Sequence, residues 1–228
     1  MSLKTRWHPS PNFGDRRNDL KPELIVLHYT EMASCADALD RLCDPEAEVS
    51  SHYLISEQGE VLQLVTEEKR AWHAGQGSWR GRPDVNSRSI GIELSNKGVT
   101  PFSALQMDAL EALLAEIMER WSVPDYGVIA HSDFAPTRKT DPGRRFDWRR
   151  LALGGLSVWP EGSSDSDADF LSHASAFGYP TEDGEPAVLE AFRQRFRPMK
   201  AVGSPGPDET DRAMMANLAR RFGIDRTD

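Results

Sequence analysis

The 228-residue sequence has only two cysteines, no excess of positive charge and no long apolar run, and each shortage removes a class of explanation. Cys35 and Cys43 fall in one expected helix, where eight residues of rise separate them by about 12 Å, beyond the reach of a disulfide. They read as buried free thiols, which suits a reducing compartment. Lys and Arg number 27 against 36 Asp and Glu, a formal net charge of -9, with a pI near 5.2. Nucleic-acid binding needs a clustered basic surface to neutralise phosphates, so this balance argues against it. A local basic run does exist, from Arg138 and Lys139 through Arg144, Arg145, Arg149 and Arg150. It fits either a solvated rim or a surface that draws an anionic substrate. No segment approaches the ~20 apolar residues of a membrane span. The opening residues, Met1 to Asn12, hold no apolar h-region and no small-residue cleavage pattern. The expectation is a cytoplasmic protein without a membrane span, or one of the cell envelope if a leader has been removed, with no obligate protein partner evident.

What is present is a run of short, well-punctuated elements. Residues 1 to 23, rich in Pro, Asn, Asp and Arg, read as an irregular arm. Leu24 to His28 is a continuous apolar run, the mark of a central strand covered on both faces. Ser34 caps a helix through Cys43, and Ser51 to Ile55 with Val61 to Val65 reads as a hairpin. Residues 66 to 88 form a long segment with Trp72, His73 and Trp79, and connections of that length inside a domain are more often binding loops than spacers. A strand follows at Ser89 to Asn96, in which Ile90, Ile92 and Leu94 alternate with Ser89, Gly91 and Glu93. A period of two sends Glu93 away from the apolar face, beside small neighbours. Thr100-Pro101, or Ser103 with Gln106, then starts the strongest helix, with Leu105, Leu110, Leu113, Leu114, Ile117 and Trp121 at helical spacing. Val128 to His131 makes another strand, and Phe146 to Leu153 a short helix. Gly154 to Ser164 reads as a linker. Three amphipathic pieces follow, at 168 to 177, 186 to 196 and 209 to 222. The expected architecture is α/β, a mixed central β-sheet flanked by helices over residues 1–160, followed by a small three-helix domain over 165–225.

Two apolar strands end in histidine, His28 and His131, and Asp141 follows in Lys139-Thr140-Asp141-Pro142-Gly143. Catalytic zinc asks for three protein ligands and one open position, and these residues supply two imidazoles and a carboxylate. A lone histidine is more often structural than a ligand. The repeated strand-terminal histidine followed by Asp141 favours convergence on one metal. A closed structural site would want a fourth ligand, usually cysteine, and neither Cys35 nor Cys43 is near the others in sequence.

Arg70-Ala71-Trp72-His73-Ala74-Gly75, then Asn86-Ser87-Arg88-Ser89-Ile90-Gly91-Ile92-Glu93, then His131-Ser132-Asp133, then Arg138-Lys139-Thr140-Asp141-Pro142-Gly143 make a set of four motifs in order. The set resembles the zinc-dependent N-acetylmuramoyl-L-alanine amidases, relatives of the peptidoglycan recognition proteins, over residues 8 to 153. The resemblance implies a mixed sheet flanked by helices, Zn2+ held by His28, His131 and Asp141, and hydrolysis of the amide between N-acetylmuramic or 1,6-anhydro-N-acetylmuramic acid and L-alanine of a stem peptide. It also implies that Glu93 is the acid-base residue and Lys139 a stabiliser of the oxyanion, roles that suit a carboxylate and an ammonium.

Tyr29, His73, Trp79, Asn86 and Arg88 are candidate contacts to the substrate, a muropeptide or peptidoglycan. For Trp79 burial in its own loop is an equal reading, and Asn86 and Arg88 suit either loop support or a peptide carboxylate. His52 reads as structural. The three C-terminal pieces resemble the peptidoglycan-binding domain that follows some of these amidases. A non-catalytic muropeptide-recognition module is the rival reading, and it does not require the ligands, Glu93 and Lys139 that this sequence carries together.

Overall fold

The computed structural model describes residues 4–161, 169–203 and 205–224. The expected linker beyond residue 161 and the expected start of the second domain lie outside the described residues. The strands are β1 (Thr5–Trp7), β2 (Phe13–Asp15), β3 (Leu24–Tyr29), β4 (Tyr53–Ile55), β5 (Val61–Gln63), β6 (Lys69–Ala71), β7 (Ser89–Leu94) and β8 (Val128–Ala130). The helices are α1 (Cys35–Cys43), α2 (Val85–Arg88), α3 (Ala104–Trp121), α4 (His131–Phe134), α5 (Trp148–Leu153), α6 (Phe170–Phe177), α7 (Glu185–Phe196) and α8 (Glu209–Phe222).

A mixed six-stranded sheet runs in the order β1-β5-β4-β7-β3-β8. β7 and β8 flank β3 and run parallel to it, while β4 and β5 form the antiparallel hairpin read from the sequence. The arm before β3 is more ordered than its composition suggests. β1 adds to the sheet edge beside β5, and β2 pairs with β6 from the long segment. All three residues of β1 are exposed, so no apolar alternation announces it.

The alternation in β3 divides the core. Ile25 and Leu27 join Ile90, Ile92, Leu94, Val128 and Ala130 on the face covered by α3 and α5. Ser103 caps α3, its hydroxyl accepting from the Gln106 N–H at 3.1 Å. Leu110, Leu113, Leu114 and Ile117 reach the core, whereas Leu105, counted on that stripe from its spacing, sits in the first turn and is 60% exposed. On the opposite face, Leu24, Val26 and Ile129 share one cluster with Trp79, Val85 and Phe134 and with Phe170, Phe177, Val188, Phe192, Met215 and Leu218 of the C-terminal helices. The last three helices therefore pack directly onto the sheet.

Candidate metal centre and active site

Register brings the site together. His28 lies opposite Glu93 in the parallel pairing of β3 with β7, and Leu27 lies opposite Ala130 in the pairing with β8. His131, one residue beyond Ala130, thus stands beside His28 at the carboxyl ends of three neighbouring strands. That edge is where open α/β sheets bind ligands. The rings of His28 and His131 are 4.6 Å apart, edge to face.

Asp141 enters from the basic loop. Its Oδ2 is 2.8 Å from Nδ1 of His28 and 3.0 Å from Nδ1 of His131. One ligand atom from each of the three lies within 4.8 Å of the others. All three side chains are buried, and among the described residues no Lys or Arg is within ion-pair distance of Asp141. Burial holds His28 down to about 4, overcoming its contact with Asp141, so the ring is neutral near pH 7. Contacts with both imidazoles hold Asp141 far below the ordinary carboxylate range against the opposing effect of its burial. Neutral imidazole and ionised carboxylate are the forms that bind a metal. His131 Nε2 donates to the Ala74 carbonyl at 2.9 Å, which turns Nδ1 toward Asp141 and the metal position. Two nitrogen lone pairs and one carboxylate oxygen suit a borderline divalent cation, and zinc in particular.

A cleft of about 550 Å³ opens over this cluster. Glu93 and Lys139 both line it, as do Tyr29, Met32, Arg41, Trp72 and Arg138. Glu93 Oε2 is buried with no hydrogen-bond partner among the described residues. Burial, and then the charge of Asp141, push the Glu93 carboxyl well above its usual value, while Lys139 pulls the other way. A carboxyl raised in this way sits nearer the range in which one group can both take and return a proton.

The other candidates divide. Tyr29 lines the cleft with its hydroxyl 3.0 Å from the Thr140 hydroxyl. His73 also lines it and touches His28. Asn86 is buried and supports the loop, its Oδ1 accepting the backbone N–H of His73 at 3.0 Å and of Ala74 at 2.8 Å. Arg88 is likewise corrected to a structural residue. It is 2% exposed, pairs with Glu23 and donates to the carbonyls of Trp79 and Arg82. Trp79 is 0% exposed and packs edge to face on Phe177 and Tyr179, leaving no ring face for a sugar or peptide. The reasons differ, since Trp79 is covered from the C-terminal segment while Arg88 is taken up by Glu23 and by carbonyls of its own loop. His52 is structural as expected, with Nδ1 accepting from the Gly91 N–H and Nε2 near the Lys69 carbonyl.

Sequence reasoning passed over two contributors. Arg138 donates to the carbonyls of Ala74 and Gln76, tying the basic loop to the His73 turn. Asp133 is buried beside His131 and bonded by the hydroxyl of Tyr179 and the guanidinium of Arg195. Both lie inside quoted motifs, but their partners are distant in sequence and no local signal names them.

Two imidazoles and a carboxylate at the carboxyl edge of a parallel sheet, with a raised glutamate and a lysine in the same cleft, define the class of metal-dependent hydrolases. The chain belongs to the N-acetylmuramoyl-L-alanine amidase family, whose model matches residues 18–144. It is 32% identical to the N-acetylmuramoyl-L-alanine amidase AmiD of Escherichia coli, over 89% of this chain and 84% of that protein. It is 38% identical to the 1,6-anhydro-N-acetylmuramyl-L-alanine amidase AmpD of Enterobacter cloacae, over 65% of this chain and 89% of that one. The solved complex of Escherichia coli AmiD with anhydro-N-acetylmuramic acid-L-Ala-D-gamma-Glu-L-Lys superposes with a TM-score of 0.82 at 31% identity, covering 92% of this chain and 93% of that one. The activity is that of an N-acetylmuramoyl-L-alanine amidase, a hydrolase of the amide joining a muramoyl group to L-alanine. No helix among the described residues is long and apolar enough to cross a membrane.

Proposed function

We propose that His28, His131 and Asp141 hold zinc and that the cleft above them takes a 1,6-anhydro-N-acetylmuramoyl peptide, cleaved between the muramoyl group and L-alanine. The reading rests most heavily on one observation, the convergence of the three ligand atoms within 4.8 Å beside Glu93, whose buried Oε2 has no hydrogen-bond partner among the described residues. Bound there, zinc supplies a Lewis acid that polarises the amide carbonyl and acidifies a water. Glu93 takes a proton from the attacking water and returns it to the departing amine of L-alanine. The Lys139 ammonium stabilises the carbonyl oxygen as it gains negative charge. Tyr29 and His73 border the substrate, and Arg41 and Arg138, which line the same cleft, favour the carboxylates of a stem peptide. The anhydro sugar is proposed because relatives are named for it or solved with it.

Residues 1–160 act in this reading as the amidase domain. Residues 165–225 resemble a three-helix peptidoglycan-binding domain, and they serve here as a brace through the core they share with Trp79, Val85 and Phe134. The test is to incubate the protein with an anhydro-muropeptide and, separately, with intact sacculi, before and after chelation and after zinc is restored. Release of the L-alanine peptide, faster from the soluble anhydro-muropeptide, lost on chelation and recovered with zinc, is the expected result. A soluble fragment as preferred substrate goes with a cytoplasmic recycling role, and sacculi with the envelope. Release that survives complete metal removal contradicts the zinc reading, and no release from either substrate leaves a recognition module in its place.

A further inference from the structure

The two imidazoles facing Asp141 are oriented by different means. His131 donates Nε2–H to a backbone carbonyl, which is always an acceptor. His28 has no such fixed partner. Its Nε2 lies 3.0 Å from Nδ1 of His73, another imidazole, whose own proton has to be on the far nitrogen if it is to accept. The far nitrogen, Nε2 of His73, lies 3.2 Å from Ser89 Oγ. Ser89 has one hydroxyl proton and donates it to the Val85 carbonyl at 2.6 Å. Only lone pairs remain on Oγ toward His73, so His73 must donate from Nε2. Nδ1 of His73 is then a lone pair to which Nε2 of His28 donates, and Nδ1 of His28, 2.8 Å from Asp141 Oδ2, is the nitrogen turned toward the metal position.

We propose that His73 is a positioning residue that sets the tautomer of His28, with the direction of the relay fixed by Ser89 and the Val85 carbonyl. This rests on the reading of His28 as a zinc ligand through Nδ1. A ligating imidazole presents a lone pair, and the partner of its other nitrogen decides which nitrogen that is.

The surroundings of His73 are fitted to the task. A Cβ on Gly91 would come within 2.4 Å of the His73 ring, so the glycine in the middle of β7 is the slot in which the imidazole lies. Ser89 and Glu93 flank that slot on the same strand face. Asn86 fixes the backbone of His73 and of Ala74 with one carboxamide oxygen, and so holds in place the acceptors for both candidate ligands, the His73 ring and the Ala74 carbonyl. The sequence Trp72-His73-Ala74 thus carries the outer partners of His28 and His131 on consecutive residues.

The experiment combines zinc affinity by chelator competition with imidazole 15N NMR, applied to the full chain and to His73→Leu, His73→Asn and Ser89→Ala. The zinc-loaded wild type is expected to show His28 with its proton on Nε2 in a hydrogen bond to His73, since without the cation Asp141 Oδ2 accepts a hydrogen bond from Nδ1. His73→Leu removes the acceptor and is expected to lose about 10- to 100-fold in zinc affinity and the hydrogen-bonded shift of the His28 Nε2–H in the zinc-loaded protein. His73→Asn keeps an acceptor oxygen near the position of Nδ1 and is expected to recover most of the affinity, a rescue that loss of packing alone does not give. Ser89→Ala, a small change, is expected to mix the His73 tautomers and lower zinc affinity, and it carries the test if His73→Leu does not fold. A folded His73→Leu or Ser89→Ala with wild-type affinity and an unchanged His28 Nε2–H signal overturns the proposal. So does a zinc-loaded wild type in which His28 binds the metal through Nε2. A wild type that binds no zinc defeats the metal reading instead, a separate outcome because zinc binding is measured first.

Discussion

Asp133 and Asp141 are two buried carboxylates eight residues apart in the sequence, and their surroundings differ in a way that separates structure from chemistry. Asp133 is matched by protein donors. It accepts from the Tyr179 hydroxyl at 2.8 Å, from the Ala130 N–H at 2.9 Å, and from the buried guanidinium of Arg195. Arg195 is held in turn by the Val128 carbonyl and the Ser157 hydroxyl. Asp141 meets two imidazoles and no cation among the described residues. A buried charge is costly unless paired, so the Asp133 carboxylate is matched within the protein and Asp141 calls for a cation from outside. The teaching is that a buried acid marks a site when its neighbours are ligands and a joint when they are donors.

The contrast sharpens most on the Asp141 side, at Glu93, whose Oε2 has no hydrogen-bond partner among the described residues. Glu93→Gln keeps the shape of the side chain and removes its base, and turnover of an anhydro-muropeptide is expected to fall by about 10²- to 10⁴-fold while bound zinc is unchanged. Loss of zinc in that variant, read by elemental analysis, would make Glu93 a ligand and redraw the site.

On the Asp133 side the expected effect is on stability. Arg195→Met strips the cation from a buried carboxylate and is expected to cost about 3–5 kcal/mol in urea unfolding, with zinc still bound in the folded fraction. A loss below about 1 kcal/mol, the range of an exposed pair, would mean that the joint between α7 and α4 is not structural.

The smallest effect is spread over several groups. Burial holds neutral His28 down to about 4 and His52 to about 3, and His73 well below the ordinary 6.5. Between roughly pH 4 and 6.5 the unfolded chain therefore binds more protons than the folded one, and stability rises with pH. Glu93 opposes this, because its raised folded value keeps a proton that the unfolded chain releases above 4.5. Three imidazoles outweigh one carboxyl, so the melting temperature of metal-free protein is expected to fall as pH drops from about 6.5 toward 4. A flat or inverted profile contradicts the burial of neutral rings.

Much of the site was legible because it depends on local pattern. The alternation of Ser89 to Leu94 placed Glu93 on an open face, two apolar strands delivered their terminal histidines, and the motif order gave Asp141 and Lys139. Helix caps at Ser34 and Ser103 were legible for the same reason. What escaped the sequence depends on contacts between distant segments. Trp79 looked available because nothing nearby covers it, whereas Phe177 and Tyr179 do, and Arg88 is taken up by Glu23, 65 residues before it. Asp133 needed Tyr179 and Arg195 to be understood. The role of Gly91 as the slot for His73 appears only when the 66–88 segment is folded across β7.

Metal content tests the central claim most directly. Purified wild type and Asp141→Asn, dialysed side by side against a trace of zinc and measured by elemental analysis, are expected to hold one zinc per chain and none, with both proteins folded. A wild type without zinc, or a folded Asp141→Asn that retains it, would contradict the assignment of His28, His131 and Asp141 as the metal centre.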